Sequence, residues 1–451
     1  MTSAATPIQV PASVQTVMDR LWAHGHAAYV VGGSVRDALL GRPAKDWDLA
    51  TDARPDRLLA VFPGAVYENQ FGTVAVREAG AIHEVTTFRS DHEYADFRRP
   101  HRVEFGDDVR LDLGRRDFTV NAIAWGREAD GGASELVDPF DGRADLASHI
   151  LRTVRDPGAR FGEDALRMVR AVRLAAVLDF TIEPATLAAI RDHAALAAHV
   201  SGERVSAELE KLLAAPRPSV GLRLMAETGL LEVLLPELAA QRGVPQNKIE
   251  GEDLFDHTLG SVDAASPDRP VVRLATLLHD LGKPSTIEDG PFRGHEVVGA
   301  EMAQRLLDRL HTPKAATERV VGLVRNHMFT YEPSWGDAGV RRFIQRVGIE
   351  AIDDLFALRR ADNIGSGVPA DAHGLDELVA RVEAELEASV VLDRSRLAVR
   401  GDDLIAELGV PPGPRLGRML DGLLDRVIAD PKLNDRATLL LLAESMLADD
   451  R

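Results

Sequence analysis

The sequence of 451 residues predicts an α+β protein in which a small mixed domain precedes regions that are entirely helical. Strand-like and helical signals alternate from residue 15 to residue 150. From residue 151 onward the chain is rich in Ala, Leu, Arg and Glu with helical periodicity. Its length also implies several domains, because single hydrophobic cores stop growing at about 250–300 residues.

Changes in composition along the chain predict the domain boundaries. A Pro-Pro-Gly-Pro run at 411–414 interrupts the last helical stretch. The expected regions are a flexible tail (1–14), the mixed domain (15–150), a helical region (151–240), a linker (241–252), a histidine-rich helical region (253–370) and a C-terminal helical region (371–451).

Composition limits the function classes. The chain contains no cysteine, which excludes disulfides and thiolate metal sites and fits a cytoplasmic protein. Its apolar runs are too short for a membrane span, and it starts without the pattern of a signal peptide. The net charge of −18 argues against a nucleic-acid partner, yet arginines cluster at 98–116 and 152–173. A local basic face would still bind RNA, so the overall charge does not decide the partner.

The stretch from Val30 to Thr51 contains a paired glycine, a helix start and two aspartates. The valines predict the end of a buried strand, and Gly32 and Gly33 permit a tight turn. Residues 34–40 predict a short helix, whose free N–H groups favour an anion such as a triphosphate. The sequence has no P-loop ending in Gly-Lys-Ser or Gly-Lys-Thr. The Gly32–Gly33 turn is therefore predicted to bind a nucleotide in another way.

Three carboxylates are predicted to lie near this turn. Asp46 and Asp48 are expected on a second strand, where residues two apart face the same side. Two carboxylates on one face are suited to Mg²⁺ ions that bridge substrate phosphates. Glu84, within the strand-favouring segment 81–89, is the predicted third carboxylate. The set indicates a nucleotidyltransferase that performs phosphoryl transfer with metal ions and carboxylates.

The segments predicted as strands are 29–33, 46–51, 72–78, 81–89 and 118–126.

Arginines precede the last of these segments. Arg115 and Arg116 would neutralise phosphate charge that grows in the transition state. Asp117 and Asn121 are expected to brace the following strand. The turn-rich segment 137–146 is expected to be a hinge to the helical region.

Residues 161–173 are predicted to form one helix. Asp164, Arg167 and Arg170 recur at i, i+3 and i+6 and would share a face, with Arg173 a turn further on. An ion pair on a solvated helix explains this pattern. A carboxylate beside an arginine can alternatively offer a donor and acceptor edge to an unpaired base.

A second constellation consists of histidines and aspartates between residues 257 and 362. Neutral imidazoles with carboxylates suit Mn²⁺, Ni²⁺, Fe²⁺ or Zn²⁺, and Mg²⁺ is also compatible. His311 lies in the same region and is assigned to packing. The predicted ligands are His257, His279, Asp280, His295, His327 and Asp362.

The first group of motifs resembles the class II tRNA nucleotidyltransferases, which are the CCA-adding enzymes and bacterial poly(A) polymerases. The resemblance covers about residues 15–240 and rests on GGSVRDALLGRPAKDWDLAT, EVTTFR, RRDFTVNA, DPFDGRADL, EDALRMVR and SGERVSAELEKLL, in that order. It implies a polymerase-β-like head, a helical neck and body, and tRNA, CTP and ATP as partners.

The resemblance also implies roles for individual residues. Gly33 and Arg36 would contact the triphosphate, Asp46 and Asp48 would hold Mg²⁺, Arg116 would contact the nucleotide, Asp164 and Arg167 would act as a protein template supported by Arg170 and Arg173, and Glu203, Arg204, Glu208 and Lys211 would steady the neck helices. The segment 89–106 corresponds to a flexible loop that helps the family switch from C to A addition.

The histidine constellation resembles the HD family of metal-dependent phosphohydrolases over roughly residues 253–365. By this resemblance His257, His279, Asp280 and Asp362 hold one metal ion, His295 and His327 complete a second site, and Lys283 meets a phosphate. Some tRNA nucleotidyltransferases carry such a domain, with phosphatase or cyclic phosphodiesterase activity on RNA ends.

Other functions stay open at the level of sequence. A poly(A) polymerase, or a partial enzyme that adds only CC or A, shares every motif. A protein uridylyltransferase with an HD domain needs sensing modules that residues 371–451 do not resemble. A phosphohydrolase with an inactive head is disfavoured by the intact Asp46, Asp48 and arginine set. The sequence predicts no particular oligomeric state.

Overall fold

The computed structural model describes residues 8–44, 46–68, 72–94, 100–246, 248–287, 292–388 and 392–449. The chain forms two compact units, one ending at Ala239 and the other beginning at Ala240. The predicted fold class is confirmed, because a mixed sheet occurs in the first unit and the second unit is helical. Across the described residues, no helix combines the length and apolar character that crossing a bilayer requires.

The first unit contains a seven-stranded sheet with the strand order β3-β4-β5-β2-β1-β8-β9. Strands β2 and β5 are parallel, and the other neighbours are antiparallel. The strands are β1 Ala28–Val31, β2 Asp48–Thr51, β3 Val66–Tyr67, β4 Thr73–Glu78, β5 Ala81–Thr87, β6 Arg89–Tyr94, β7 Pro100–Phe105, β8 Ala124–Arg127, β9 Glu135–Val137, β10 Ile150–Leu151 and β11 Thr181–Ile182.

Helices cover the sheet and continue beyond it to Ala239. The helices of this unit are α1 Ala12–Ala23, α2 Gly33–Leu39, α3 Pro55–Val61, α4 Val109–Gly114, α5 Gly142–Ser148, α6 Pro157–Glu163, α7 Leu166–Leu178, α8 Pro184–His193, α9 Gly202–Leu213, α10 Pro218–Thr228, α11 Leu230–Leu234 and α12 Pro236–Ala239. Helix α1 starts inside the expected flexible tail, because the fully buried Val14 packs in the core.

Two predicted segments differ from the structure. The strand expected at 118–126 begins only at Ala124, because residues 119–121 form a 3₁₀ turn. The Thr119 hydroxyl donates to Asp145 at 2.6 Å, and this tertiary contact overrides the β preference of the segment. The segment 89–106, expected to be a flexible loop, forms the antiparallel pair β6 and β7, with residues 95–99, including Arg98 and Arg99, outside the described residues.

The second unit is helical throughout its described part. Its helices are α13 Leu254–Ala264, α14 Pro270–Leu278, α15 His295–Arg309, α16 Lys314–Asn326, α17 Asp337–Val347, α18 Ile349–Gly365, α19 Leu375–Glu387, α20 Gly401–Leu408, α21 Pro414–Ala429 and α22 Arg436–Asp449. The expected linker is packed into this unit, since Gln241 is buried and accepts a hydrogen bond from Thr258 at 2.9 Å. Helices α20 to α22 enclose a separate apolar cluster that includes Leu423 and Leu439.

Candidate active site

The sheet of the first unit brings two of the three predicted carboxylates into neighbouring positions. Val31 at the end of β1 is paired with Asp48 at the start of β2. Leu49 is paired with Val85 on β5, so Asp48 and Glu84 lie one residue earlier on adjacent parallel strands. Glu84 is exposed between buried residues and therefore faces the open side of the sheet.

Asp46 was predicted to lie on the second strand. This was wrong, because β2 starts only at Asp48 and Asp46 lies in the connection before it. Its charge still acts on the other two carboxylates. Burial raises the pKa of Asp48, and Asp46 adds to this rise while Arg116 opposes it. Burial also raises the pKa of Glu84, followed by the charges of Asp48, Glu68 and Asp46. Three carboxylates that repel one another are a suitable seat for a divalent cation.

The glycine turn lies beside these carboxylates and under an arginine. Gly32 has a φ of +79°, which favours glycine, and a Cβ there would lie 2.6 Å from a guanidinium nitrogen of Arg116. The buried Nε of Arg116 has no hydrogen-bond partner among the described residues. Because this guanidinium also lowers the pKa of Asp48, it lies where a phosphate next to the carboxylates would need a cation.

Arg36, which was expected at the triphosphate, is bound to neighbouring side chains. Its Nε donates to Asp37 at 2.9 Å, and its Nη1 donates to Asn121 at 2.6 Å. The Asn121 amide donates in turn to Asp117 at 3.1 Å. Asp117 also accepts from Arg170 at 2.8 Å, so Asp117 and Asn121 brace this region through arginines.

The helix predicted at 161–173 is broken at Asp164. Helix α6 ends at Glu163, and Asp164 has extended backbone angles before α7 starts at Leu166. Asp164 and Arg167 therefore do not lie on one helical face, because the Asp164 carboxylate instead accepts from the N–H of Leu166 at 3.1 Å. This bond satisfies a free donor at the start of the new helix.

The two predicted template residues each have a protein partner. Asp164 accepts from Arg204 at 2.7 Å. Arg167 donates to Glu163 at 2.9 Å and to the main-chain oxygen of Arg115 at 3.0 Å. Glu163 is a residue that the sequence reasoning missed, although its position four residues before Arg167 is a typical helical ion-pair spacing.

A buried carboxylate holds the remaining arginines of α7. Glu208, 3% exposed, lies 2.5 Å from Arg173 and 3.5 Å from Arg170. Lys211 is 3.7 Å away on the same helix. Burial opposes ionisation of Asp117, but Arg170 and the Asn121 amide hold its pKa well below the usual range. These charges tie α9 to α7, while Glu203 is exposed at the start of α9.

Removing the Glu208 carboxylate would leave two partly buried arginines without their shared partner. We expect Glu208→Ala to lower the free energy of unfolding by about 3–5 kcal/mol, the usual cost of breaking a buried ion pair. Urea unfolding followed by circular dichroism measures this change. The matched control is Glu210→Ala on the exposed side of the same helix. Equal unfolding midpoints for the two variants would contradict the assigned role of Glu208.

The second unit gathers all six residues predicted as its metal ligands. They are His257 on α13, His279 and Asp280 directly after α14, His295 at the start of α15, His327 directly after α16, and Asp362 on α18. All six are buried. Two groups of donor atoms are close enough to share an ion, and Asp280 belongs to both of them.

The two carboxylate oxygens of Asp280 face different pairs of histidines. Its Oδ2 lies 3.4 Å from Nε2 of His257 and 3.1 Å from Nε2 of His279. Its Oδ1 lies 3.3 Å from Nε2 of His295 and 3.6 Å from Nε2 of His327. No described group donates a hydrogen bond to the buried Oδ1. This arrangement suits a carboxylate that bridges two metal ions.

Second contacts of the histidines determine which nitrogen faces the cluster. Every Nδ1 lies against a main-chain oxygen: His257 at 3.0 Å from Gly365, His279 at 2.7 Å from Thr276, His295 at 2.6 Å from Phe292, and His327 at 2.6 Å from Val324. A carbonyl only accepts, so each Nδ1 carries a proton, and a ring without a second proton turns an Nε2 lone pair inward. Nε2 of His295 and Nε2 of His327 lie 3.2 Å apart, and a cation bound to both would remove the repulsion between their lone pairs.

The charged groups of the cluster also favour a bound cation. Burial opposes protonation of His279, but Asp280 and Asp362 raise its pKa to about 9. Burial lowers the pKa of His327. The carboxyl pKa values of Asp280 and Asp362 lie well below their usual range despite burial, because histidines and lysines surround them. A metal ion would take the place of the proton that His279 otherwise holds.

Cationic side chains line the entrance of the cluster. Lys283 donates to Asp280 at 2.6 Å, and its contact with a phosphate stays a prediction. Lys248 lies 3.6 Å from Asp362, and Arg359 lies 3.3 Å from the other oxygen of Asp362. The sequence reasoning missed Lys248 because it placed this residue in a linker, and Arg359 because the residue carries no motif of its own.

Comparison with known proteins gives matches along most of the chain. The family model for the poly A polymerase head domain matches residues 28–152, and a probable RNA- and SrmB-binding site of polymerase A matches residues 179–242. The HD domain model matches residues 250–365. The chain is 34% identical to the CCA-adding enzyme of Geobacillus stearothermophilus over 421 residues, which span 93% of each protein.

A further relative matches about half of the chain, and a solved structure matches nearly all of its fold. Over 223 residues, 49% of this chain and 54% of the relative, it is 48% identical to the CCA-adding enzyme of Geobacillus sp. (strain WCH70). The crystal structure of the Bacillus stearothermophilus CCA-adding enzyme in complex with CTP is similar, with a TM-score of 0.74 and 30% identity. That similarity covers 98% of this chain and 99% of the solved one.

Proposed function

This chain belongs to the family of CCA-adding enzymes, and from that membership we propose that it adds C, C and A to the 3′ end of tRNA. CTP and ATP would be its substrates, pyrophosphate would be released, and no nucleic acid would serve as template. The adjacency of Asp48, Glu84 and Arg116 at the glycine turn carries this proposal. We further propose a cytoplasmic location, where tRNA maturation would occur.

The chemistry of the first unit depends on a divalent metal, which we propose to be Mg²⁺ held by Asp46 and Asp48, with Glu84 beside them. Bound there, Mg²⁺ would stabilise negative charge on the α-phosphate and lower the pKa of the RNA hydroxyl. The 3′-oxygen of the RNA forms a bond to the α-phosphorus, and the bond to pyrophosphate breaks. Arg116 would neutralise charge on the departing phosphates, and the turn at Gly32 and Gly33 leaves room for them.

Nucleotide choice is assigned to Asp164 and Arg167, whose carboxylate and guanidinium would offer acceptor and donor groups to the base. Arg167 lies against Arg115, because it donates to the main-chain oxygen of Arg115 at 3.0 Å. Their present partners, Arg204 and Glu163, hold them in fixed positions. Arg170 and Arg173 would support the template through Asp117 and Glu208.

We expect Arg167→Ala to reduce the preference for CTP and ATP over UTP and GTP by about tenfold to a hundredfold, the range for one lost bidentate base contact. Single-turnover incorporation with each nucleotide measures the preference. The control is Arg223→Ala, an exposed arginine on helix α10 of the same unit. A slower reaction with unchanged nucleotide preference would contradict the role of Arg167 in base selection.

Extension of a tRNA transcript that lacks its 3′ CCA, resolved to single nucleotides, tests the main proposal. With CTP and ATP together, we expect addition of C, C and A followed by arrest. A long A tail would identify a poly(A) polymerase, and arrest after CC, or addition of A alone, would identify a partial enzyme. Failure to extend any RNA would direct attention to protein substrates of a uridylyltransferase.

A second activity is proposed for the other unit, since all four histidines turn Nε2 lone pairs toward Asp280. We propose that this cluster holds two divalent ions of the Mn²⁺, Ni²⁺, Fe²⁺ or Zn²⁺ type, with Mg²⁺ as a weaker alternative. The ions would supply a nucleophilic hydroxide for phosphate-ester hydrolysis. Lys248, Lys283 and Arg359 would orient the ester at RNA ends or in cyclic phosphates.

A further inference from the structure

The histidine–aspartate cluster opens into a cavity that is larger than a phosphate group requires. The cavity has a volume of about 670 Å³, and Asp280, His295 and His327 form its metal-binding end. Lys248, Lys283 and Arg359 add positive charge to its walls. Ligand sites for whole small molecules start at about 300 Å³, so the room suits a substrate with more than one phosphate-sized part.

A second chamber of about 470 Å³ adjoins this cavity. Met328, Arg359 and His373 line both spaces, so the two adjoin at these side chains. Met328 and His373 are exposed, which leaves the junction open to a ligand. A molecule whose phosphate lies at the cluster can therefore extend past Arg359 into the second chamber.

The walls of the chamber are held in place by specific contacts. The guanidinium of Arg359 lies 4.5 Å from the centre of the Phe329 ring and donates to the main-chain oxygen of Phe329 at 2.7 Å. The buried Tyr331 donates its hydroxyl proton to Glu377 at 2.7 Å. A Cβ on Gly374 would lie 3.1 Å from the Tyr331 ring, so the main chain there closes one side of the chamber.

The chemistry of the chamber fits a flat and uncharged ring. Phe329, Tyr331, Pro333 and Leu375 make its described lining mainly apolar, with Thr330 at the exposed edge. Among the described residues that line it, Arg359, His373 and Tyr331 are the titratable ones, and the first two also line the cavity at the metal cluster. A second phosphate would meet few donors there, whereas a nucleobase would find apolar and aromatic surface and one cation.

We propose that this chamber binds the nucleobase of a substrate whose phosphate lies at the histidine–aspartate cluster. The proposal rests on the phosphohydrolase function proposed above and names its substrate class, which is a nucleotide or the terminal nucleotide of an RNA. Inorganic pyrophosphate has no ring to place in the chamber and would bind more weakly.

The absence of cysteine from the chain permits a site-specific test. Thr330→Cys places one thiol at the chamber, and Glu332→Cys places one on the same exposed segment but not in the chamber lining. Both proteins are loaded with Mn²⁺ and treated with a maleimide in the presence of 2′,3′-cyclic AMP, a short RNA ending in a 2′,3′-cyclic phosphate, or pyrophosphate. The rate of modification is measured by mass spectrometry.

We expect the cyclic nucleotide, the RNA or both to slow modification of Thr330→Cys by about tenfold, with no effect of pyrophosphate and no effect on Glu332→Cys. Protection by the RNA alone would identify RNA ends as the substrate, and protection by both would include free nucleotides. Equal rates with and without either nucleotide ligand would overturn the proposal, as would equal protection of the two thiols.

Hydrolysis measured in parallel separates this proposal from the one on which it rests. If the cysteine at residue 330 is protected but no ester is hydrolysed with Mn²⁺, Ni²⁺ or Zn²⁺, the chamber assignment holds and the phosphohydrolase proposal fails. If esters are hydrolysed without protection, the phosphohydrolase proposal holds and the chamber assignment fails. As a further check, Thr330→Trp should raise KM for the cyclic nucleotide at least about tenfold and leave KM for glycerol 2-phosphate, which has no ring, unaffected.

Discussion

Asp48→Ala and Asp46→Ala are each expected to reduce nucleotide addition by at least about 1000-fold, because a lost metal ligand costs several kcal/mol of transition-state stabilisation. The fold should persist in both variants. The carboxylates of Asp46 and Asp48 raise each other's energy in the folded state, so removing one of them relieves repulsion. Extension of tRNA under single-turnover conditions measures the rate, and circular dichroism measures the fold.

Asp56→Ala is the matched control for these variants. Asp56 is exposed at the start of α3, in the same unit, and is not near the glycine turn in sequence or sheet position. It should retain the rate of the unchanged protein within about twofold. Normal incorporation by Asp46→Ala and Asp48→Ala would remove both residues from the metal site, whereas loss in only one would assign the metal to that carboxylate alone.

Asp280→Ala is expected to have the largest effect in the second unit, because both groups of metal-binding donors include Asp280. We expect both metal affinities to fall by at least about 100-fold, since even outer contacts of a metal site account for about 10–100-fold. Hydrolysis of 2′,3′-cyclic nucleotides to nucleoside monophosphates should fall to background. Metal content per chain, measured by mass spectrometry of the purified protein, reports binding independently of catalysis.

The control for this change is Asp268→Ala, which alters an exposed aspartate between α13 and α14. It should bind the same amount of metal as the unchanged protein. Full metal content in Asp280→Ala would refute the bridging position of this carboxylate. A different outcome is that Asp280→Ala loses its metal while the unchanged protein hydrolyses no phosphate ester. The unit would then be a metal-dependent scaffold.

The sequence predicted the fold class and the family because the signals involved are local and ordered. The strand around Val85 alternates between buried and exposed residues, so only one register buries its apolar side. The strand expected at 118–126 was wrong over residues 118–123 for a non-local reason. Asp145 and Arg36 bind Thr119 and Asn121 and stabilise a turn there, and neither partner is adjacent in sequence.

In the candidate sites, too, a sequence pattern did not decide between competing contacts. The spacing of Asp164 and Arg167 predicts one helical face, but a carboxylate that can bond a following N–H also favours a helix start, and here that alternative prevails. Lys248 approaches the histidine cluster because the polar segment before α13 folds back on α18. The roles of the predicted site residues stay predictions, while their grouping in space follows from the sheet register and the helix ends.

The hydrogen bonds from the four imidazole Nδ1 atoms to main-chain oxygens have a consequence for the entropy of metal uptake. Immobilising a side chain on binding usually costs about 0.5–1.5 kcal/mol. Here the rings of His257, His279, His295 and His327 lose that freedom when the protein folds. Metal binding therefore costs little side-chain conformational entropy. Its free energy depends mainly on displacing protons and water from the donor atoms.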